Sequence, residues 1–116
     1  MYLEIYLYPV PEVNKKQFLM INQEAERIYK DYGALESDTY IATSINPQYG
    51  CSGMVSSVEL HENEILMIEV NRYHSKDHQV QVLQKVDRDE QIGKLYNQMI
   101  KVIDMSRTVR GEFSLV

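Results

Sequence analysis

The order strand, helix, strand, strand, helices, strand predicts an α+β domain of the ferredoxin-like βαββαβ kind, a four-stranded antiparallel sheet with its helices on one face. Three observations predict it: period-two alternation at both ends of the chain, a helical apolar stripe after the first strand, and a continuous apolar run in the middle. The 116 residues suit a single domain over 1–116, and folding at this size hides about two-thirds of the unfolded surface, enough for a real core.

Each element has its own signal. Over residues 2–8, Leu3, Ile5 and Leu7 alternate with Tyr2, Glu4, Tyr6 and Tyr8, giving a strand with one apolar and one amphipathic face. Pro9-Val10-Pro11 stops it, because proline has no N–H to give a ladder. Asn14 reads as an N-cap, with Gln17 three residues on as in a capping box. Phe18, Ile21, Ala25, Ile28, Tyr29 and Tyr32 form one helical stripe, and Gly33 suits the left-handed residue that ends a helix. Residues 34–44 predict a half-exposed second strand, with Leu35, Thr39, Ile41 and Thr43 interleaved by Glu36, Asp38 and Tyr40. Asn46-Pro47-Gln48-Tyr49-Gly50 is a turn signal, and 45–57 has no period, which predicts a mobile loop with a short helical turn and a role as a lid. Residues 64–73 hold the most continuous apolar run, as in a central strand buried on both faces. Ser75 caps the next helix, with Val82, Leu83 and Val86 at helical spacing. A further stretch from Asp89 carries Ile92, Leu95, Tyr96, Met99, Ile100 and Ile103, and 109–116 alternate again as the last strand.

Composition narrows the function classes. There are 17 acidic residues against 12 Lys and Arg, a net charge of −5, and no basic patch, so no nucleic-acid partner is expected. The single cysteine, Cys51, excludes an internal disulfide framework and suits a reducing, cytoplasmic setting. Residues 1–8 read as a strand rather than a signal peptide, and no run approaches the ~20 apolar residues of a membrane span, so no membrane partner is expected. One sheet face has no cover within the chain, and it is expected to carry Tyr6, Tyr8 and apolar residues of the central strands. A bare apolar face is sticky, and a homodimer packing sheet against sheet covers it with one self-complementary patch.

With these elements placed, the chain resembles the YbaA-like family of unknown function, in the dimeric α/β-barrel superfamily. The residues that carry the resemblance are Met1-Tyr2 with Pro9-Val10-Pro11, Gly33-Ala34-Leu35-Glu36, Tyr73-x-Ser75, and Asp104-x-x-Arg107 followed by Gly111-x-Phe113. Where the family carries an Arg-Asp pair and an Asn in the second helix, this chain has Gln79, Val80 and Leu83. Gly53-Met54-Val55-Ser56 stands for a Ser-Phe-Pro-Arg-like stretch, and Gly111-Glu112-Phe113 for Gly-Gly-Phe. The resemblance implies a dimeric α/β barrel. That superfamily is similar in fold to cofactor-free monooxygenases, to chlorite-dismutase-like haem proteins and to small stress-related barrels, and fold does not select among them.

Glu4, Glu69 and Glu112 are the leading chemical candidates. With the last strand, the first and the third as neighbours in the sheet, matching registers gather them around one cavity inside the dimer, where mutual repulsion raises one pKa and creates a general acid or base. Glu4 and Glu69 are the catalytic candidates, and a hard cation is another answer to the same repulsion. The plain alternative is that Glu4 pairs with Arg110, Arg72 or a cation of a partner chain, or lies near the wet rim. Tyr6, Tyr8, Tyr40 and Tyr73, with Arg110 and Glu112, are the ligand-binding candidates, and packing of the dimer interior is the alternative for the tyrosines. His74, His78 and His61 lack the companions of a zinc site, a lone His does not make a haem ligand, and Cys51 has no activating neighbour in sequence, so no metal or cofactor is expected. The methionines read as core filler, and Asp87-Arg88-Asp89-Glu90 as the capped, solvated junction between helices. The leading expectation is a homodimer that binds a small, partly aromatic or apolar molecule, in a pocket between sheet and helices or inside the dimer, with loop 45–57 as its lid. A cofactor-free oxygenase or isomerase with a carboxylate base, and a purely structural dimer module, are the alternatives.

Overall fold

Two ten-residue strands, β1 (Tyr2–Pro11) and β3 (Glu64–Tyr73), form the centre of the sheet in the computed structural model, which describes residues 1–116. Between them in sequence lie helix α1 (Lys15–Asp31) and strand β2 (Glu36–Ile41). After them come α2 (Lys76–Val86), α3 (Glu90–Met99) and strand β4 (Val109–Ser114). The sheet order is β2-β3-β1-β4, every pair antiparallel. This is the ferredoxin-like α+β fold that the element order predicts.

The ends of the elements follow local chemistry. The Ser75 hydroxyl accepts from the His78 N–H at the start of α2, and the Asp89 carboxylate accepts from Gln91 and Ile92 at the start of α3. Gly33 closes α1 at φ +115°, a conformation costly for any residue with a Cβ. Asn14 departs from expectation. It stands at the head of α1, but its side-chain amide donates to the Val102 carbonyl at 2.9 Å and caps nothing. The segment after α3 packs against that helix start, and a carbonyl there takes the amide. Strand β2 is shorter than the alternating pattern of 34–44, although Leu35 and Ala42 still donate to β3 from just outside it. In loop 42–63 the expected helical turn is Met54–Ser56, and Gly53 sits so close to the Ile45 carbonyl that a Cβ has no room.

Which face of the sheet meets the helices reverses the expectation for Tyr6 and Tyr8. The amphipathic face is the inner one. Tyr8 is buried and meets the Phe18 ring of α1 edge-on at 5.2 Å, and Tyr6 stacks beside Tyr8 at 5.8 Å. Leu3, Ile5 and Leu7 point the other way, and all three are only half-buried. Their neighbours in register are Arg72, Val70 and Ile68 on β3 and Phe113, Gly111 and Val109 on β4. Alternation gives two faces but no instruction as to which the helices cover. The helices select the side where the tyrosine rings fill the space beneath Phe18 and the polar groups find one another. For the same reason β3 is deeply buried mainly on one face: Met67, Glu69, Asn71 and Tyr73 are buried, while on the other only Leu66 is buried and Ile68, Val70 and Arg72 are half-exposed.

The core has two parts. Tyr8, Val10, Phe18, Ile21, Ile28 and Met67 pack with Leu95, Met99, Val102 and Ile103, and a smaller cluster joins Ala34, Tyr73, Val82 and Val86. The chain between α3 and β4 is pinned by Arg107, whose guanidinium clasps both oxygens of Glu64 at 2.7 and 2.5 Å. The pairing holds the Glu64 carboxyl down to about 2. A depressed carboxyl contributes stability that is fully present above its ordinary range and is lost as pH falls toward the folded value. Arg107→Ala is therefore expected to lower the unfolding midpoint by several degrees at neutral pH and to flatten the acid limb between about pH 4.5 and 2, read by denaturant titrations along that range. An acid limb identical to that of the wild type would refute the role given to this pair.

Candidate functional site

The inner sheet face takes its alternate residues from each strand, so the register decides the neighbours. Tyr6 lies opposite Glu69, Tyr8 opposite Met67, and Glu4 opposite Asn71 on one side and Glu112 on the other. Above this face α1 and α3 lean apart enough to leave a cavity of about 210 Å³. Tyr6, Tyr8 and Glu69 form its floor. Ile21, Asn22, Ala25 and Tyr29 of α1 make one wall, and Ile92, Leu95, Tyr96 and Met99 of α3 the other, with Met105 beside them. Apart from Asn22 and Glu69 the lining is apolar or aromatic.

Glu69 is the chemically distinctive group in this cavity. Its side chain is 6% exposed, and its Oε2 accepts from the Asn71 amide at 3.2 Å. Burial pushes its carboxyl up to about 8. The Asn71 amide works against that rise, the nearby Glu26 and Glu4 carboxylates add to it, and the Asn22 amide opposes it. At neutral pH Glu69 thus holds its proton in most molecules, and a small change in its surroundings releases it. The phenols around it keep their protons more firmly. Burial, with Glu4 adding, raises Tyr6 to about 12 despite Arg110, and burial raises Tyr8 and Tyr29 further still.

Glu4 stands differently. It is fully buried, and its carboxylate accepts from Asn71 at 3.0 Å, Gln79 at 3.1 Å, Arg110 at 3.2 Å and the Tyr73 hydroxyl at 3.3 Å. The plain alternative of a pairing with Arg110 is what the structure shows, and Glu4 lies outside the cavity lining. Asn71 links it to Glu69 through one amide that donates to both carboxylates. At the β4 edge Glu112 receives Arg110 and Lys76, each at 2.7 Å, and the Tyr2 hydroxyl at 2.5 Å. That set holds the Glu112 carboxyl down to about 2, the Arg110 bond first among its causes. The three carboxylates share the inner face, then, but only Glu69 lines the cavity, and all three lie between sheet and helices of one chain rather than between two chains. Tyr73 is buried under α2 against Glu4. Tyr40 is on the outer face, 54% exposed, apart from all of these.

No residue of loop 45–57 lines the cavity, which corrects its assignment as a lid; α3 and Met105 stand there instead. His74 and His78 do come together, their rings 5.0 Å apart and the His74 N–H donating to His78 Nδ1, and no group of three potential metal ligands exists in the chain.

Sequence reasoning missed part of the site. Asn22 and Glu26 of α1 are buried; Asn22 donates to Thr39 of β2 at 2.5 Å and to Glu26 at 3.4 Å, and the Thr39 hydroxyl donates to Glu26. The signal was available: positions 18, 22 and 26 recur at intervals of four, so two polar residues lie in phase with the buried arc of the helix. Asn71 was equally visible, two residues from Glu69 and therefore on the same strand face.

The chain is matched over residues 1–104 by the sequence profile of a family described as protein of unknown function, DUF1428. No protein with a curated description matches it. Among solved structures it is similar to an uncharacterized NIPSNAP domain protein from Burkholderia xenovorans, at 12% identity and TM-score 0.64, covering 100% of this chain and 95% of that one. It is also similar to an antibiotic biosynthesis monooxygenase, at 9% identity and TM-score 0.63, covering 100% and 99%. A NIPSNAP family protein from Agrobacterium tumefaciens matches at 13% identity and TM-score 0.62, covering 99% and 92%. At these identities the likeness is one of fold.

A carboxyl whose folded pKa is raised costs nothing below its unfolded value and costs stability progressively as pH climbs through the folded one. Glu69→Gln removes that cost. The variant is expected to gain on the wild type as pH rises from about 5 to about 8, by on the order of 3 kcal/mol at the top of the range. Urea unfolding of both proteins at several pH values measures the gap, and a gap that stays constant with pH would contradict the assignment.

Proposed function

The chain belongs to the DUF1428 family, whose function is unknown, and we propose that it binds a small, partly aromatic or apolar molecule in the cavity between the sheet and helices α1 and α3. The observation that carries this is a tyrosine-lined apolar cavity with one proton-bearing carboxyl at its floor. Apolar walls supply affinity by burial, and a few placed polar groups supply orientation. Tyr6 and Tyr8 are the ligand-binding residues of this reading, with Glu69. Tyr73, Arg110 and Glu112 support the floor through Glu4 and the β4 edge, and Tyr40 belongs to the outer face. A cytoplasmic setting and the YbaA-like resemblance are parts of the same reading.

A second reading is favoured by the near-neutral Glu69. It is that of a cofactor-independent isomerase- or monooxygenase-like enzyme, the latter in keeping with one of the similar folds. Glu69 would take a proton from carbon beside a carbonyl, and the Tyr6 or Tyr8 hydroxyl would donate to the oxygen that becomes negative. Glu4 acts through Asn71, as a positioning residue. The binding reading is tested by tyrosine fluorescence and thermal shift with one-ring aromatic probes. Saturable stabilisation is expected for the wild type and its loss in Ala25→Phe, which fills the cavity. Failure of every probe to bind the wild type would sink it.

The outer face supports the homodimer of this reading. Leu3, Ile5, Leu7, Ile68 and Val70 form a half-exposed apolar patch beside Phe113, which is 55% exposed, and packing two such faces together removes that surface from water. Sedimentation is expected to give twice the 13.6 kDa chain mass, and Ile5→Lys, in the middle of the patch, to give the single mass with the fold retained by circular dichroism. A monomeric wild type at micromolar concentration would overturn the dimer.

A further inference from the structure

The charge balance inside the layer indicates which kind of ligand the cavity takes. Three carboxylates are buried on the inner side, Glu4, Glu26 and Glu69. One cation reaches any of them: Arg110 pairs with Glu4, and it is shared with Glu112. Neither Glu26 nor Glu69 has an ion-pair partner, and Glu69 is held by a single amide at normal distance, that of Asn71, although it lines the cavity. No Lys, Arg or His lines the cavity, so an anionic ligand would find no cation to pair with there. The rings beside Glu69 are suited to a cation as well. Tyr6, Tyr8 and Tyr29 line the cavity with it, and the Tyr6 ring already carries the Arg110 guanidinium 5.4 Å from its centre.

Resting on the small-molecule reading above, we propose that the ligand is a hydrophobic amine, its nitrogen paired with Glu69 and its apolar part held between α1 and α3. Binding of the ammonium form breaks the Glu69 O–H bond, releases that proton to water and leaves a carboxylate–ammonium pair. Around Glu69 stand Glu4, Tyr6 and Tyr8 of β1, Glu26 and Tyr29 of α1 and Tyr96 of α3, with the uncharged Thr39 opposite it on β2, and Arg110 of β4 is engaged by Glu4 and Glu112. Tyr6, Tyr8 and Tyr29 keep their protons and Arg110 keeps its charge through the neutral range. Amine affinity therefore rises with pH until Glu69 is ionised.

The test is calorimetric titration of the whole chain with three probes of matched shape: 2-phenylethylamine, 2-phenylethanol and 3-phenylpropionate. The amine is expected to bind about tenfold more tightly than the alcohol near pH 8, and the carboxylate not at all. Amine affinity should climb severalfold between about pH 6 and about 8, while that of the alcohol stays level. In Glu69→Gln, which keeps the side-chain shape but cannot ionise and is expected to fold at least as well, the amine advantage over the alcohol should fall to about twofold or less. Equal binding of amine and alcohol by the wild type, tighter binding of the carboxylate, or an amine preference that survives in Glu69→Gln would overturn the amine while leaving the cavity as a binding site. Binding of none of the three would overturn the amine and the cavity reading together.

Discussion

The donors that surround the buried carboxylates set the terms for the rest of the molecule. A carboxylate inside the layer must be paired, saturated with hydrogen bonds or protonated, because its lost hydration costs several kcal/mol. Glu4, Glu26 and Glu69 show different solutions within one layer. Glu4 is saturated by four donors, one of them Arg110. Glu26 has the Thr39 hydroxyl and the Asn22 amide, and burial still raises its carboxyl. Glu69 has a single amide at normal distance and a cavity beside it, and burial pushes its carboxyl up to about 8. Asn71 is the hinge of this arrangement, since its one amide serves Glu4 and Glu69 and its oxygen accepts from Ser37.

Placing polar groups inside has a consequence outside. The side of β1 made of Leu3, Ile5 and Leu7 is the more apolar of the two, yet it is the side without helices. The sheet therefore has two demanding faces. One is satisfied by hydrogen bonds and aromatic packing within the chain, and the other is left as a half-exposed apolar patch. The cavity belongs wholly to the first face, so its lining comes from one chain.

The candidate site was partly legible. Glu4 and Glu69 stand out as carboxylates in apolar strands, and their shared face follows from parity once the strands are registered. Glu69 reaches the cavity and Glu4 does not because Gln79, Tyr73 and Arg110 converge on Glu4 from α2, β3 and β4, and that convergence is long-range. Tyr40 looked equivalent to the other tyrosines in sequence, but its parity in β2 puts it on the outer face. Asn22 and Glu26 share the phase of Phe18 on α1, but an apolar stripe alone does not mark polar residues as buried.

Local order was within reach of the sequence alone, because it rests on interactions a few residues apart: alternation in β1, the stripe of α1, the caps Ser75 and Asp89, the left-handed Gly33. The ferredoxin-like order of strands and helices follows from those elements. Only the tertiary structure decided which face of β1 the helices cover, that loop 45–57 stays clear of the cavity, and that Asn14 serves Val102 instead of its own helix. Each of these is a choice between arrangements with nearly equal local energy. Such choices are settled by contacts between residues dozens of positions apart, and a linear pattern does not encode which of them meet.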